Sequence, residues 1–265
     1  MKNVRLAIGL ALLGSVIVGP GTALADDDHS GSNSACRDLP SYSALRSALR
    51  TATQNEENGG FGFEMWATVV NRDGIVCAVV FTGGNRGAQW PGSRVISAQK
   101  ANTANAFSLP GFALSTANLY SAVQPGGSLF GLQESNPVDT SVAYGGSASA
   151  FGQANDPMVG LRIGGVNVFG GGLALYAPSG RLVGAIGVSG DSSCADHNVA
   201  WRVRDALNLD RVPAGVNSDL TRKDNIVYDI TPQAGQMPGT SASGWGHPVC
   251  SAAATTIAAG LPTTD

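Results

Sequence analysis

Residues 165–190 constrain the fold more than any other part of the chain. Residues 173–177 and 182–188 are apolar, β-prone runs, and Pro178-Ser179-Gly180 between them has the composition of a tight turn. Strands joined by so short a link must run antiparallel. The second run ends in Gly184-Ala185-Ile186-Gly187-Val188-Ser189-Gly190 and leads into a helix predicted over residues 196–207.

The rest of the chain repeats this hairpin-then-helix grammar. Leu45 and Leu49 fall four apart behind Ser41-Tyr42-Ser43, which predicts a capped helix to about Gln54. Residues 65–70 and 75–81 are β-rich on either side of Asn71-Arg72-Asp73-Gly74, whose Asp-Gly pair suits a hairpin turn. Ser93 can cap a helix running to about Phe107, which Leu109-Pro110-Gly111 stops. Residues 115–155, rich in Ser, Gly, Asn and Ala, predict one or two short helices and long loops, and residues 211–265 a Pro-, Gly- and Ser-rich tail. The alternation of single strands with single helices that a doubly wound sheet needs is missing. The expected fold class is α+β, a twisted antiparallel sheet flanked by helices.

The ends of the chain bear on where it works. Lys2 and Arg5, an apolar stretch, and Ala23-Leu24-Ala25 before three aspartates form the pattern of a secretory signal peptide over residues 1–25. The mature chain is then expected in the periplasm or outside the cell. Residues 26–40 are polar and lack apolar periodicity, so a flexible segment is expected there. Loss of Lys2 and Arg5 takes the net charge from −3 to −5, which is no electrostatic footprint for nucleic acid. No later apolar run is long enough to span a bilayer. Four cysteines, Cys36, Cys77, Cys194 and Cys250, lack C-x-x-C spacing and favour two disulfides. Three pairings are open, with at least one bridge pinning a terminal extension to the core. A buried free thiol is the alternative for Cys77.

Candidate chemistry is sparse. The glycine run precedes a helix start, where backbone amides can meet an anion, but its G-x-x-G-x-x-G spacing is not the dinucleotide fingerprint and a structural turn is the plainer reading. Asp196 suits the helix start. His29 lies in an acidic tail, whereas His197 and His247 are candidate iron ligands or proton shuttles, or ordinary polar residues. Lys100, Thr103 and Phe107 share one helical face; it either packs inward or lines a pocket in which Lys100 meets a carboxylate. Hydrolase, zincin, P-loop and c-type haem motifs are absent.

Val69-Val70-Asn71-Arg72-Asp73-Gly74, Lys100-Ala101-Asn102-Thr103-Ala104, Pro125-Gly126-Gly127, Gly170-Gly171-Gly172 and the run 184–190 with Asp196 and Ala200 occur in one order. As a set they resemble the GlcG/HbpS-like family, also called the haem-degrading domain family, over about residues 44–209; we take 41–210 as the domain and 211–265 as an extension. The resemblance implies a profilin-like domain, homo-oligomeric assembly, and exported members that bind haem, in some cases degrading it or partnering a sensor kinase. The expected function is therefore an exported haem or tetrapyrrole binder. Its ligand would rest against Lys100, Thr103 and Phe107 near Gly187, Gly190 and Asp196, with Thr103, His197 or His247 near iron. The competing expectations are a cofactor-free extracellular oligomerisation or interaction domain and, more weakly, an enzyme acting on a small hydroxy-acid or aldehyde. A longer segment at 113–160, the C-terminal extension and the cysteines depart from the family's short form.

Overall fold

The structure is a computed structural model that describes residues 34–54, 57–233 and 236–264. The expected signal peptide, His29 and most of the expected flexible segment lie outside the described residues.

Four strands, β1 (Trp66–Asn71), β2 (Val76–Phe81), β3 (Gly172–Tyr176) and β4 (Leu182–Ser189), form one antiparallel sheet in the order β2-β1-β4-β3. The two hairpins meet through β1 and β4, with Trp66 opposite Ser189 and Thr68 opposite Gly187. Every residue of β1, β3 and β4 is buried, because helices cover both faces. That is why these strands read as continuous apolar runs rather than as alternating ones. The first hairpin turns on Asn71, whose Oδ1 accepts the N–H groups of Asp73 (3.0 Å) and Ile75 (2.9 Å), with Gly74 at φ +75°.

On one face lie α1 (Tyr42–Gln54) and α3 (Ser193–Ala206). Leu45 and Leu49 of α1 and Val199 and Trp201 of α3 share a core with Ala67, Val69, Ile186 and Val188 of the strands. On the other face α2 (Ser93–Ala106) lays Val95, Ala98, Ala101 and Ala104 against Trp66, Val70 and Ala185. The fold is thus the expected profilin-like α+β arrangement. Segment 115–155 forms short helical turns and loops, as its composition predicts.

Three local expectations are corrected. The last large helix starts at Ser193 rather than at Asp196, because Ser192 caps it, its side chain accepting from Ala195 N–H at 3.3 Å. Ser93 is the first residue of α2 rather than its cap; its hydroxyl accepts from Gln89 Nε2 instead. Residues 211–265 are not an irregular tail: β5 (Ile230–Gln233) and β6 (Gln236–Ser241) pair antiparallel, and α4 (Ala252–Ala259) packs Ala254 and Ala258 into the α1/α3 core. The disulfides are Cys36–Cys77 and Cys194–Cys250. Each ties a terminal segment to the core, and Cys77 is not a free thiol. Among the described residues no helix is long and apolar enough to cross a membrane.

Candidate functional site

Lys100 projects from α2 toward the far face of the sheet. Its ammonium makes an ion pair with Asp196 Oδ2 of α3 at 2.7 Å and donates to the Val188 carbonyl at 3.1 Å, with both side chains almost wholly buried. The passage exists because Gly170-Gly171-Gly172 carries no side chains. A Cβ on Gly171 would lie 3.1 Å from Asp196 Cβ and 3.3 Å from Lys100 Nζ, and the residue sits at φ +113°. Burial pushes the Asp196 carboxyl up, to about 6, against the opposing pull of Lys100. Asp196 Oδ1 accepts the Asp191 N–H at 2.9 Å, so one side chain joins both helix layers to the loop leaving β4.

The expected glycine and threonine positions lie inside the helix–sheet contact. A Cβ on Gly187 would run into the Ser97 carbonyl and the Ala101 nitrogen of α2, and one on Gly190 would stand 2.7 Å from Met65 Sδ. These glycines admit backbone approach. Thr103 is fully buried; its hydroxyl donates to Gln99 O (2.7 Å) and accepts from Asn167 N–H (2.9 Å). Phe107 is half-buried against the small cluster of Leu114, Leu119 and Val168. The structure therefore brings Lys100, Gly187, Gly190 and Asp196 together within the packed layers, with Phe107 apart from them.

The two histidines diverge. His197 is fully buried on α3, its Nε2 lying 3.0 Å from Asn225 Oδ1 and 3.2 Å from the Ile226 N–H, while Nδ1 has no partner. Burial holds its pKa down, at about 3. His247, also buried and held down to about 4 by the same cause, stands at the α3 N-terminus. Its Nδ1 lies 2.7 Å from the Pro248 carbonyl and its Nε2 2.7 Å from the Ser193 hydroxyl, which also accepts from Gly170 N–H. The Cys194–Cys250 disulfide is its neighbour, with Cys194 Sγ 4.0 Å from Nδ1. Sequence reasoning named His247 without these companions; the spacing of His247-Pro248-Val249-Cys250 was the available signal.

A cavity of about 320 Å³ opens elsewhere, lined by Trp66, Arg86, Pro91, Arg94, Val95, Tyr144 and Phe151. Its outer wall is built by the long segment through Arg94, which is paired with Asp156, donates to the Ala143 carbonyl at 2.8 Å and stacks 3.7 Å from the Phe151 ring. Asp156 also accepts from Gly152 N–H at 2.7 Å and Met158 N–H at 3.0 Å. The Trp66 indole N–H is buried with no partner. Tyr144 and Arg86 are exposed at this cavity. The sequence carried no signal for it, since Asn155-Asp156-Pro157 reads as an ordinary turn.

A family model described as haem-degrading, HbpS-like proteins matches residues 42–204. Among solved structures, a PduOC:haem complex is 23% identical, covering 63% of this chain and 91% of that one, with a TM-score of 0.44. The Klebsiella pneumoniae protein ORFY is 24% identical over 63% and 89%, TM-score 0.41, and HbpS is 20% identical over 63% and 89%, TM-score 0.38. No curated protein matches.

Proposed function

Because this chain belongs to the HbpS-like family of haem-degrading proteins, we propose that it binds haem or a closely related tetrapyrrole, and does so at the cavity beside Tyr144. The observation that carries the site is its lining: the side chains of Trp66, Pro91 and Phe151 beside an exposed cation and an exposed phenol. Its volume falls at the lower end of small-ligand cavities, about 300–1,000 Å³, and it is open on one side. These residues fit the group. The apolar lining suits an apolar macrocycle, Arg86 offers a charge partner for a propionate, and Tyr144 offers an oxygen ligand for ferric iron. The unpartnered Trp66 N–H is a donor awaiting an acceptor.

In this reading Lys100, Gly187, Gly190, Asp196 and Thr103 hold α2 and the β4 loop in register from within, and Phe107 anchors the C-terminal end of α2. His197 and His247, buried and neutral, are kept from iron at this cavity. Bound haem would supply redox chemistry at its own iron and ring. The chain's contribution to oxidative breakdown would be to shield one face from water and leave the other accessible. We place the protein outside the cytoplasm, as a homo-oligomer able to meet a sensor or surface partner. Its two disulfides support the location.

The test is a haemin titration of the oxidised full chain, following the Soret band and tryptophan fluorescence. One haem per chain, with a spectrum altered by Tyr144→Phe and binding weakened by Arg86→Ala, is expected. Weak, unsaturable binding would sink the haem reading. The cofactor-free interaction domain would then stand, favoured by the exposed, mutually packed Phe61, Phe63 and Trp90.

A further inference from the structure

The corner where the C-terminal segment meets α3 holds more chemistry than a structural bridge needs. Cys194 Sγ, Cys250 Sγ and a ring nitrogen of His247 all lie within 4.8 Å of one another. Only Cys250 is exposed. Cys194 is the second residue of α3, and its N–H donates to Cys250 Sγ at 3.2 Å.

We propose that reduction of the Cys194–Cys250 disulfide converts this corner into a Zn²⁺ site with Cys194, Cys250 and His247 as ligands. The inference stands independently of haem binding. A thiol or dithiol reductant attacks the sulfur of Cys250, the exposed residue of the pair. Cys194 leaves as a thiolate, stabilised by the amide-rich start of α3, and a second thiol resolves the mixed disulfide. The reductant becomes a disulfide, two electrons enter the protein, and the two thiol protons are released when the metal binds.

The separation of His247 from Cys194 is close to what tetrahedral zinc needs, and the two sulfurs move apart once their bond is broken. Zn–S near 2.3 Å and Zn–N near 2.0 Å imply sulfurs about 3.8 Å apart and nitrogen about 3.5 Å from each, against 4.0 Å now between Cys194 Sγ and His247 Nδ1. Nδ1 must surrender its proton. In the present state Nδ1–H donates to the Pro248 carbonyl and Nε2 accepts from the Ser193 hydroxyl. In the metal-bound tautomer Nε2–H donates to that same hydroxyl, so Ser193 supports both states and fixes the ring. Two thiolates and one imidazole leave a fourth position for water, the composition of an open rather than a closed zinc site.

The test uses the full chain, reduced anaerobically with a phosphine, freed of reductant and titrated with Co²⁺ and then Zn²⁺. One Co²⁺ per chain, with sulfur-to-cobalt charge-transfer and tetrahedral d–d bands that Zn²⁺ displaces, is expected after reduction and not before. Ser193→Ala should weaken binding about tenfold or more, and His247→Ala more severely. A readout that needs no variant is alkylation mapped by mass spectrometry: Zn²⁺ should protect Cys194 and Cys250 but leave Cys36 and Cys77 reactive. Absence of stoichiometric cobalt, equal protection of all four cysteines, or binding unchanged in His247→Ala would overturn the proposal.

Discussion

Replacing Lys100 by Met removes the cation paired with Asp196 while nearly preserving volume. The carboxylate then stays buried with one hydrogen bond, from Asp191 N–H, and stripping one partner from such a pair costs about 3–5 kcal/mol. For a domain of this size each kcal/mol moves Tm by about 2–4 °C, so a fall of roughly 6–20 °C is expected at pH 7. Its pH dependence gives the sign. The carboxyl is raised in the native state even with Lys100 present, and further without it, so native Asp196 takes up a proton as pH falls toward the unfolded value near 3.8. The deficit should therefore shrink between pH 7 and pH 5. Adding Asp196→Asn, which keeps the acceptor for Asp191 N–H, should recover most of the loss. Differential scanning calorimetry of the oxidised wild-type, single and double variants at both pH values decides the matter. A single variant melting within about 2 °C of wild type, or a double variant no more stable than the single, would refute the structural account of Lys100 and return it to the list of ligand-binding groups.

Two further outcomes follow from the same layers. Gly187→Ala places a methyl against the backbone of α2 and should destabilise by about 1–3 kcal/mol or more, read by urea unfolding; a neutral result would mean that α2 lies farther from β4 than the structure has it. Acid should unfold the protein early. His197, facing Asp224, Arg204 and Asn225, and His247, facing Lys100 and Ser193, have depressed pKa values of about 3 and about 4. Their contribution is whole above the unfolded value near 6.5 and is lost progressively as pH falls from there toward the folded values, while Asp196 opposes them. The net loss from pH 7 to pH 5 is about 2 kcal/mol, and a stability profile flat over that range would contradict their burial.

Much of the fold was legible because its signals are local. The two hairpins announced themselves through β-prone runs meeting Asp73-Gly74 and Pro178-Ser179-Gly180, and α1 through Leu45 and Leu49 on one stripe. Helix α3 was legible except at its start, which was placed at Asp196 although Ser192 caps it, because tertiary contact draws the aspartate to Lys100. Helix α4 was hidden because Ala252–Ala259 has little amphipathic pattern, its burial being decided by Asn198 and Trp201, which donate to Ala254 O at 3.2 Å and Pro262 O at 3.0 Å. Of the candidate site, Lys100 and Asp196 were both named from the sequence as ligand-contacting groups, but sequence spacing could not say that they face each other.

The amino-acid sequence alone determined the antiparallel hairpins, the three large helices, the α+β class and the motif order that marks the family, since each rests on propensities and periodicities spanning a few residues. Tertiary structure decided which charges pair, which cysteines bond and where a cavity opens. Lys100 and Asp196 stand 96 residues apart, Arg94 and Asp156 62, and Cys194 and Cys250 56. Such partners are chosen by how closely the layers approach. Here that distance is set by glycines whose missing side chains let α2 settle on β4 and let one lysine cross the sheet.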